Sequence, residues 1–127
     1  MMNVLERQLE ELRKVYAAGA EARTLPSGAV LIELKGVPLP PGWNRASTSV
    51  RFLVPVGYPF AAPDCFWADN DLRLATGTQP QATNFQAIPE VNLPGMWFSW
   101  HVQGWNPNRS NLVTYAKVIE QRLKEIR

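Results

Sequence analysis

The spacing of apolar positions changes along the chain. Near the start, Leu5, Leu9, Leu12 and Tyr16 recur at a helical interval, with charged residues between them. That interval sets all four on one side of a helix. Asn3 and Glu6 resemble a capping box, and Gly19 supplies a stop. Glu10 and Lys14 stand four apart and are expected to pair. From Val30 the period becomes two: Val30, Ile32 and Leu34 alternate with Glu33 and Lys35. Val50, Phe52 and Val54 do the same around Arg51. Alternation of this kind marks half-buried strands, and Pro26-Ser27-Gly28 ahead of the first is a turn signal. Short connections between such strands predict an antiparallel meander of about four strands. Residues 69 to 96 are polar, turn-rich and without clear periodicity, which predicts a long irregular crossover of the kind often tied to function. The helical interval returns in Leu112, Tyr115, Ala116, Ile119, Leu123 and Ile126, with Ser110 or Asn108 as the expected cap.

Proline distribution agrees with this division. All 11 prolines lie between Pro26 and Pro107, and proline interrupts helices, so helices belong at the two ends. The expected class is α+β, with one domain over residues 1–127.

Totals narrow the function classes. A net charge of +2 is too small to suggest a nucleic-acid partner. No apolar run is long enough to span a membrane, and the opening MMNVLERQLEELRK has no apolar signal core. With a single cysteine, Cys65, no internal disulfide forms, which fits a reducing compartment. Cys65 and the only histidine, His101, do not make a structural zinc site by themselves. The expectations are therefore a cytoplasmic location, no cofactor and no metal.

Residues 95–107, GMWFSWHVQGWNP, concentrate three of the five tryptophans and the single histidine. In an extended stretch Trp97 and Phe98 face opposite ways, so these rings do not all enter one core. Trp97 and Trp100 are the candidates for an aromatic partner surface.

Two motifs carry a family resemblance. FLVPVGYPFAAPDCFW, residues 52–67, holds Tyr58-Pro59-Phe60 and Pro63. Downstream, Trp105-Asn106-Pro107 precedes the last helix. Prolines stop the strand from pairing on, and the Tyr58 and Phe60 rings are expected to pack over the sheet's end. Together with the element order, these motifs resemble the ubiquitin-conjugating enzyme superfamily. The chain ends about one helix after Trp105, without that superfamily's last two helices. In this it is similar to a compact bacterial branch, prokaryotic family E, with its Ser-x-His pattern ahead of Trp-x-Pro, here Ser99, His101 and Trp105.

The resemblance implies a ubiquitin-like modifier and an activating enzyme as partners. It also implies that the first helix meets the activating enzyme, which makes Arg7, Arg13 and Lys14 candidate contacts. Conjugation needs a thiol that accepts the modifier's carboxyl group. The family's cysteine position, about eight residues before the Trp-x-Pro tryptophan, falls near Trp97, and the chain has neither a cysteine there nor a His-Pro-Asn motif. Cys65 reads as a core residue on the fourth strand, sharing a face with Trp67; the sharper alternative is a relocated nucleophile. His101 is either a general base or orienting donor, or an anchor hydrogen-bonded among Trp97, Trp100 and Trp105. Ser99 is a hydroxyl nucleophile only if His101 activates it. The preferred expectation is a non-catalytic variant that binds modifier or activating enzyme. An active carrier of the modifier and a sheet-edge interaction module unrelated to ubiquitin are the alternatives.

Overall fold

A computed structural model describes residues 3–127. In chain order the elements are α1 (Val4–Val15), β1 (Ala20–Thr24), β2 (Val30–Pro38), β3 (Ser47–Val54), β4 (Phe66–Ala68), β5 (Thr83–Ala87), β6 (Pro94–Phe98) and α2 (Leu112–Lys124). The strands form one six-stranded sheet in the order β1-β2-β3-β4-β6-β5, with antiparallel pairing throughout. The α+β class and the two terminal helices follow the expectation from sequence. The sheet is wider than the expected four strands, because the crossover itself contributes β5 and most of the run into β6. None of the helices among the described residues is long and apolar enough to cross a membrane.

The period of two sorts side chains onto two faces. Ile32 and Leu34 of β2, Val50, Phe52 and Val54 of β3, Phe66 and Ala68 of β4, and Met96 and Phe98 of β6 belong to the main core. Both helices close that face, through Leu9, Leu12 and Tyr16 before and at the end of the first, and through Leu112, Tyr115, Ala116, Ile119 and Leu123 of the second. The intervening positions Leu31 and Trp67 join Leu25 and Ile88 in a smaller cluster, with Leu53 and Trp97 packed against it. Trp97 and Phe98 therefore do face opposite ways. The turn after β5 is drawn over this second face, where Glu90 accepts hydrogen bonds from the Ser27 backbone N–H at 2.9 Å and the Ser27 hydroxyl at 2.7 Å.

Local chemistry explains the element ends. The Asn3–Glu6 capping box at α1 is formed. Its surface ion pairs are Glu10–Arg13 at 2.6 Å and Glu11–Lys14 at 3.1 Å, not Glu10–Lys14. Spacings of three and four compete for the same acidic residues, and exposed pairs of either kind contribute little. In β2 the pairing with β3 shifts between Leu34 and Val37. Gly36 sits in that bulge at φ 61°, where a Cβ would lie 2.9 Å from the Ala18 side chain; both the backbone region and the close approach require glycine.

At α2 the cap is Asn111, not Ser110 or Asn108. Its side chain accepts from the Thr114 backbone N–H at 2.9 Å, and the Thr114 hydroxyl accepts from the Asn111 backbone N–H at 3.2 Å. Ser110 instead turns back and accepts from the Asn106 backbone N–H. Asn111→Ala is expected to cost about 1 kcal/mol, while Asn108→Ala stays within about 0.5 kcal/mol. Urea unfolding of the two variants separates the assignments.

Candidate functional site

The turn after β3 organises the site's frame. Tyr58 N–H donates to the Pro55 carbonyl, and the Phe60 and Ala61 N–H groups both donate to Gly57. Pro63 is buried beyond it. The Tyr58–Pro59 peptide is cis. The Tyr58 ring meets Trp105 with centroids 5.8 Å apart, and the Trp105 indole N–H donates to the Pro59 carbonyl at 2.8 Å. The Tyr-Pro and Trp-x-Pro motifs, 46 residues apart, are thus one contact. Trp105 locks onto this turn, and Pro107 lies half-buried between it and α2. Burial pushes the Tyr58 phenol up to about 12, so it stays a neutral donor, and it donates to the Gln8 side chain. That amide oxygen also accepts from the Leu112 N–H at 3.1 Å. Gln8 therefore ties α1, the turn and the start of α2 together, a role no periodicity announces.

Phe60 overturns one expectation. It does not pack over the sheet's end: it is 84% exposed, and Val56 on the same turn is 73% exposed. The two-residue spacing places Tyr58 inward and leaves the next ring outside. Val4 of α1 is also exposed, and a shallow groove lined by Val4, Leu5, Val54, Val56 and Tyr58 runs between the helix start and the turn.

Cys65 lies one residue before β4 at φ 59° and in neither apolar cluster. Strand alternation stops at Phe66, so Cys65 does not share a strand face with Trp67. The residue is buried all the same. Its N–H donates to the Trp100 carbonyl at 3.0 Å, and its carbonyl accepts from the buried Tyr115 hydroxyl at 2.6 Å. These bonds hold the left-handed backbone in place. Burial raises the thiol's pKa; a backbone hydrogen bond from Trp100 opposes this, and the Asp64 carboxylate adds to it.

His101 is not caged by tryptophans. Its side chain is 60% exposed, and Nδ1 lies 2.6 Å from an Asp64 carboxylate oxygen that is equally exposed. An exposed loop supplies no pocket for the ring, and the carboxylate, absent from any reading of the local sequence, takes the anchoring role instead. Ser99, two residues earlier, is half-buried, and its backbone N–H pairs with Ala82. The imidazole is committed to Asp64 and not to that hydroxyl. Donor atoms of Asp64, Cys65 and His101 all lie within 4.8 Å of one another. A carboxylate-oriented imidazole beside a sulfur is the layout of a nucleophilic triad. A thiol held protonated by burial works against that use.

The remaining expected residues separate. Trp97 is half-buried on the second face. Trp100 is half-buried against the main core, with the Arg122 guanidinium 5.6 Å and the Arg127 guanidinium 5.7 Å from its ring centre. Arg122 is fully buried and donates to the carbonyls of Gln81, Glu125 and Arg127. Arg13 is tied to Glu10 and to the Ala20 carbonyl, and Lys14 to Glu11. Arg7 is exposed on α1, beside Val4, Gln8 and Glu11.

Neither the curated proteins nor the solved structures gave a match to the chain. A family model does match, over residues 15–126, from the end of α1 through α2. With the Tyr-Pro turn locked to Trp-x-Pro and the meander closed by two helices, the chain belongs to prokaryotic E2 family E and is an E2-like protein.

Proposed function

We propose that the protein is a binding component of a bacterial ubiquitin-like modification pathway and carries no conjugating thiol of its own. One observation supports this above the others. The place about eight residues before Trp105 is Trp97, in the middle of β6, with β4 paired on one side through Trp67 and β5 on the other through Asn84. A residue laddered on both sides of a sheet has no open loop in which to receive a modifier's tail. The chain's one thiol, Cys65, is buried at the entrance to β4 and its pKa is raised. The partners are those implied by the family, a ubiquitin-like modifier or its activating enzyme. The apolar turn carrying Val56 and Phe60, with Val4 beside it, is the docking face, because exposed rings of this size mark partner surfaces.

The test combines the protein with ATP, a cognate activating enzyme and its modifier, followed by non-reducing electrophoresis and a pull-down. The expected result is non-covalent retention of a partner and no thiol-sensitive adduct. A thioester on Cys65 overturns the proposal and installs the relocated-nucleophile reading.

A further inference from the structure

Asp64, Cys65 and His101 offer a carboxylate, a thiol and an imidazole, with their donor atoms within 4.8 Å of one another. Asp64 and Cys65 are adjacent and fixed by the chain, whereas His101 reaches them from the loop that follows β6, 37 residues from Asp64. The cysteine and the histidine stand out in the sequence; folding supplies the third donor, Asp64. We propose that this corner is a zinc site, with one oxygen, one nitrogen and one sulfur ligand and a fourth position open to the cleft lined by Ser99, Trp100, His101 and Gln103.

The donor chemistry selects the metal. Thiolate with imidazole favours zinc over calcium or magnesium, which take oxygen donors. Metal binding displaces the Cys65 proton to solvent, and the resulting thiolate with the Asp64 carboxylate carries the two negative charges that neutralise a divalent ion. A tetrahedral ion with bonds of roughly 2.0 Å to oxygen or nitrogen and 2.3 Å to sulfur holds its donors roughly 3.3–3.7 Å apart. The cluster must contract by about 1 Å at its widest to reach that spacing. The Asp64–His101 contact, at 2.6 Å, must open by a similar amount. Both side chains are 60% exposed and turn without disturbing the core, while Cys65 stays where its backbone bonds to Trp100 and Tyr115 hold it. Three protein ligands with a vacant fourth position match a site that exchanges water or a small ligand. Metal binding would also occupy the only thiol and clamp the loop after β6 to the entrance of β4.

Cobalt(II) is the probe. One equivalent added to metal-stripped protein is expected to give a sulfur-to-cobalt charge-transfer band and visible bands of four-coordinate intensity, both displaced by zinc. Zinc is expected to raise the melting temperature of the parent by binding the native state. Cys65→Ser loses the charge-transfer band. His101→Ala and Asp64→Asn change exposed residues, so their metal-free melting temperatures stay at the parent's, and each loses the four-coordinate visible spectrum. Absence of the charge-transfer band in the parent overturns the proposal. So does retention of the parent's visible spectrum by either His101→Ala or Asp64→Asn.

Discussion

Arg122→Ala is expected to lower stability by about 3 kcal/mol and the melting temperature by roughly 10 °C. The guanidinium is fully buried and carries three hydrogen bonds to main-chain carbonyls: Gln81 in the crossover, and Glu125 and Arg127 just past α2. Carbonyls deprived of a buried donor cost about 1–3 kcal/mol each when no water replaces it. Some relief comes from water entering at the half-exposed Arg127, which is why the total stays near the lower end. The side chain also lies over the rings of Phe98 and Trp100, at 5.1 and 5.6 Å, so its removal leaves a gap as well as unmet acceptors. Arg122→Lys is the informative companion. It keeps the charge but loses the planar fork that reaches separate acceptors, and is expected to recover less than half of the lost stability. Denaturant melts of the two variants decide the matter; a lysine variant as stable as the parent would show that charge alone is needed.

Phe60→Asp is expected to weaken retention of the pathway partner by at least about 2 kcal/mol, roughly thirtyfold, while leaving stability within about 0.5 kcal/mol. Both halves follow from exposure. A ring that is 84% exposed contributes almost nothing to the core, so the fold has no stake in it. At a docked interface the same ring would be the central apolar anchor, with Val56 and Val4 around it. The aspartate adds a charge that binding would have to desolvate. Charge reversal at Arg7, exposed beside Val4, should act mainly on the association rate and fade with salt. Binding that is unaltered in Phe60→Asp would place the docking face elsewhere.

The fold was legible wherever one periodicity ran long enough to be counted. The stripe of α1 and its Asn3–Glu6 box, the alternation of β2 and β3, and the face of α2 from Leu112 to Leu123 stand in the sequence as they do in space; Ile126, expected on that face, lies beyond the helix end at Lys124 and is exposed. The two motifs marked a contact, Trp105 on the Pro59 carbonyl, that no spacing rule gives. What the sequence concealed has physical causes. β5 is an edge strand with solvent on much of both faces, so Thr83–Ala87 has no inside to alternate with. β6 opens with Pro94 and Gly95, which read as a turn, and the glycine is there because the Trp67 side chain packs 3.0 Å from where its Cβ would be. The site was half visible. Cys65 and His101 stand out as the only residues of their kinds, but Asp64 is one acid among 11 acidic residues and gains its meaning only through a contact 37 positions away. Phe60 misled because a motif's rings look alike in sequence, and only the turn's geometry tells the inner one from the outer.

β4 contributes three residues to a sheet whose β2 and β3 have nine and eight. The ladder is therefore thinnest near its middle, and the molecule has a seam there. Parting β4 from β6 there would break three register pairs and the Phe66–Phe98 stack, while the longer β2–β3 ladder stays closed. The Asp64–Cys65–His101 corner spans that seam, with two residues on one bank and one on the other. Such an opening would carry His101 away from Asp64, so loss of their 2.6 Å contact would report on breathing of the sheet more directly than on global stability.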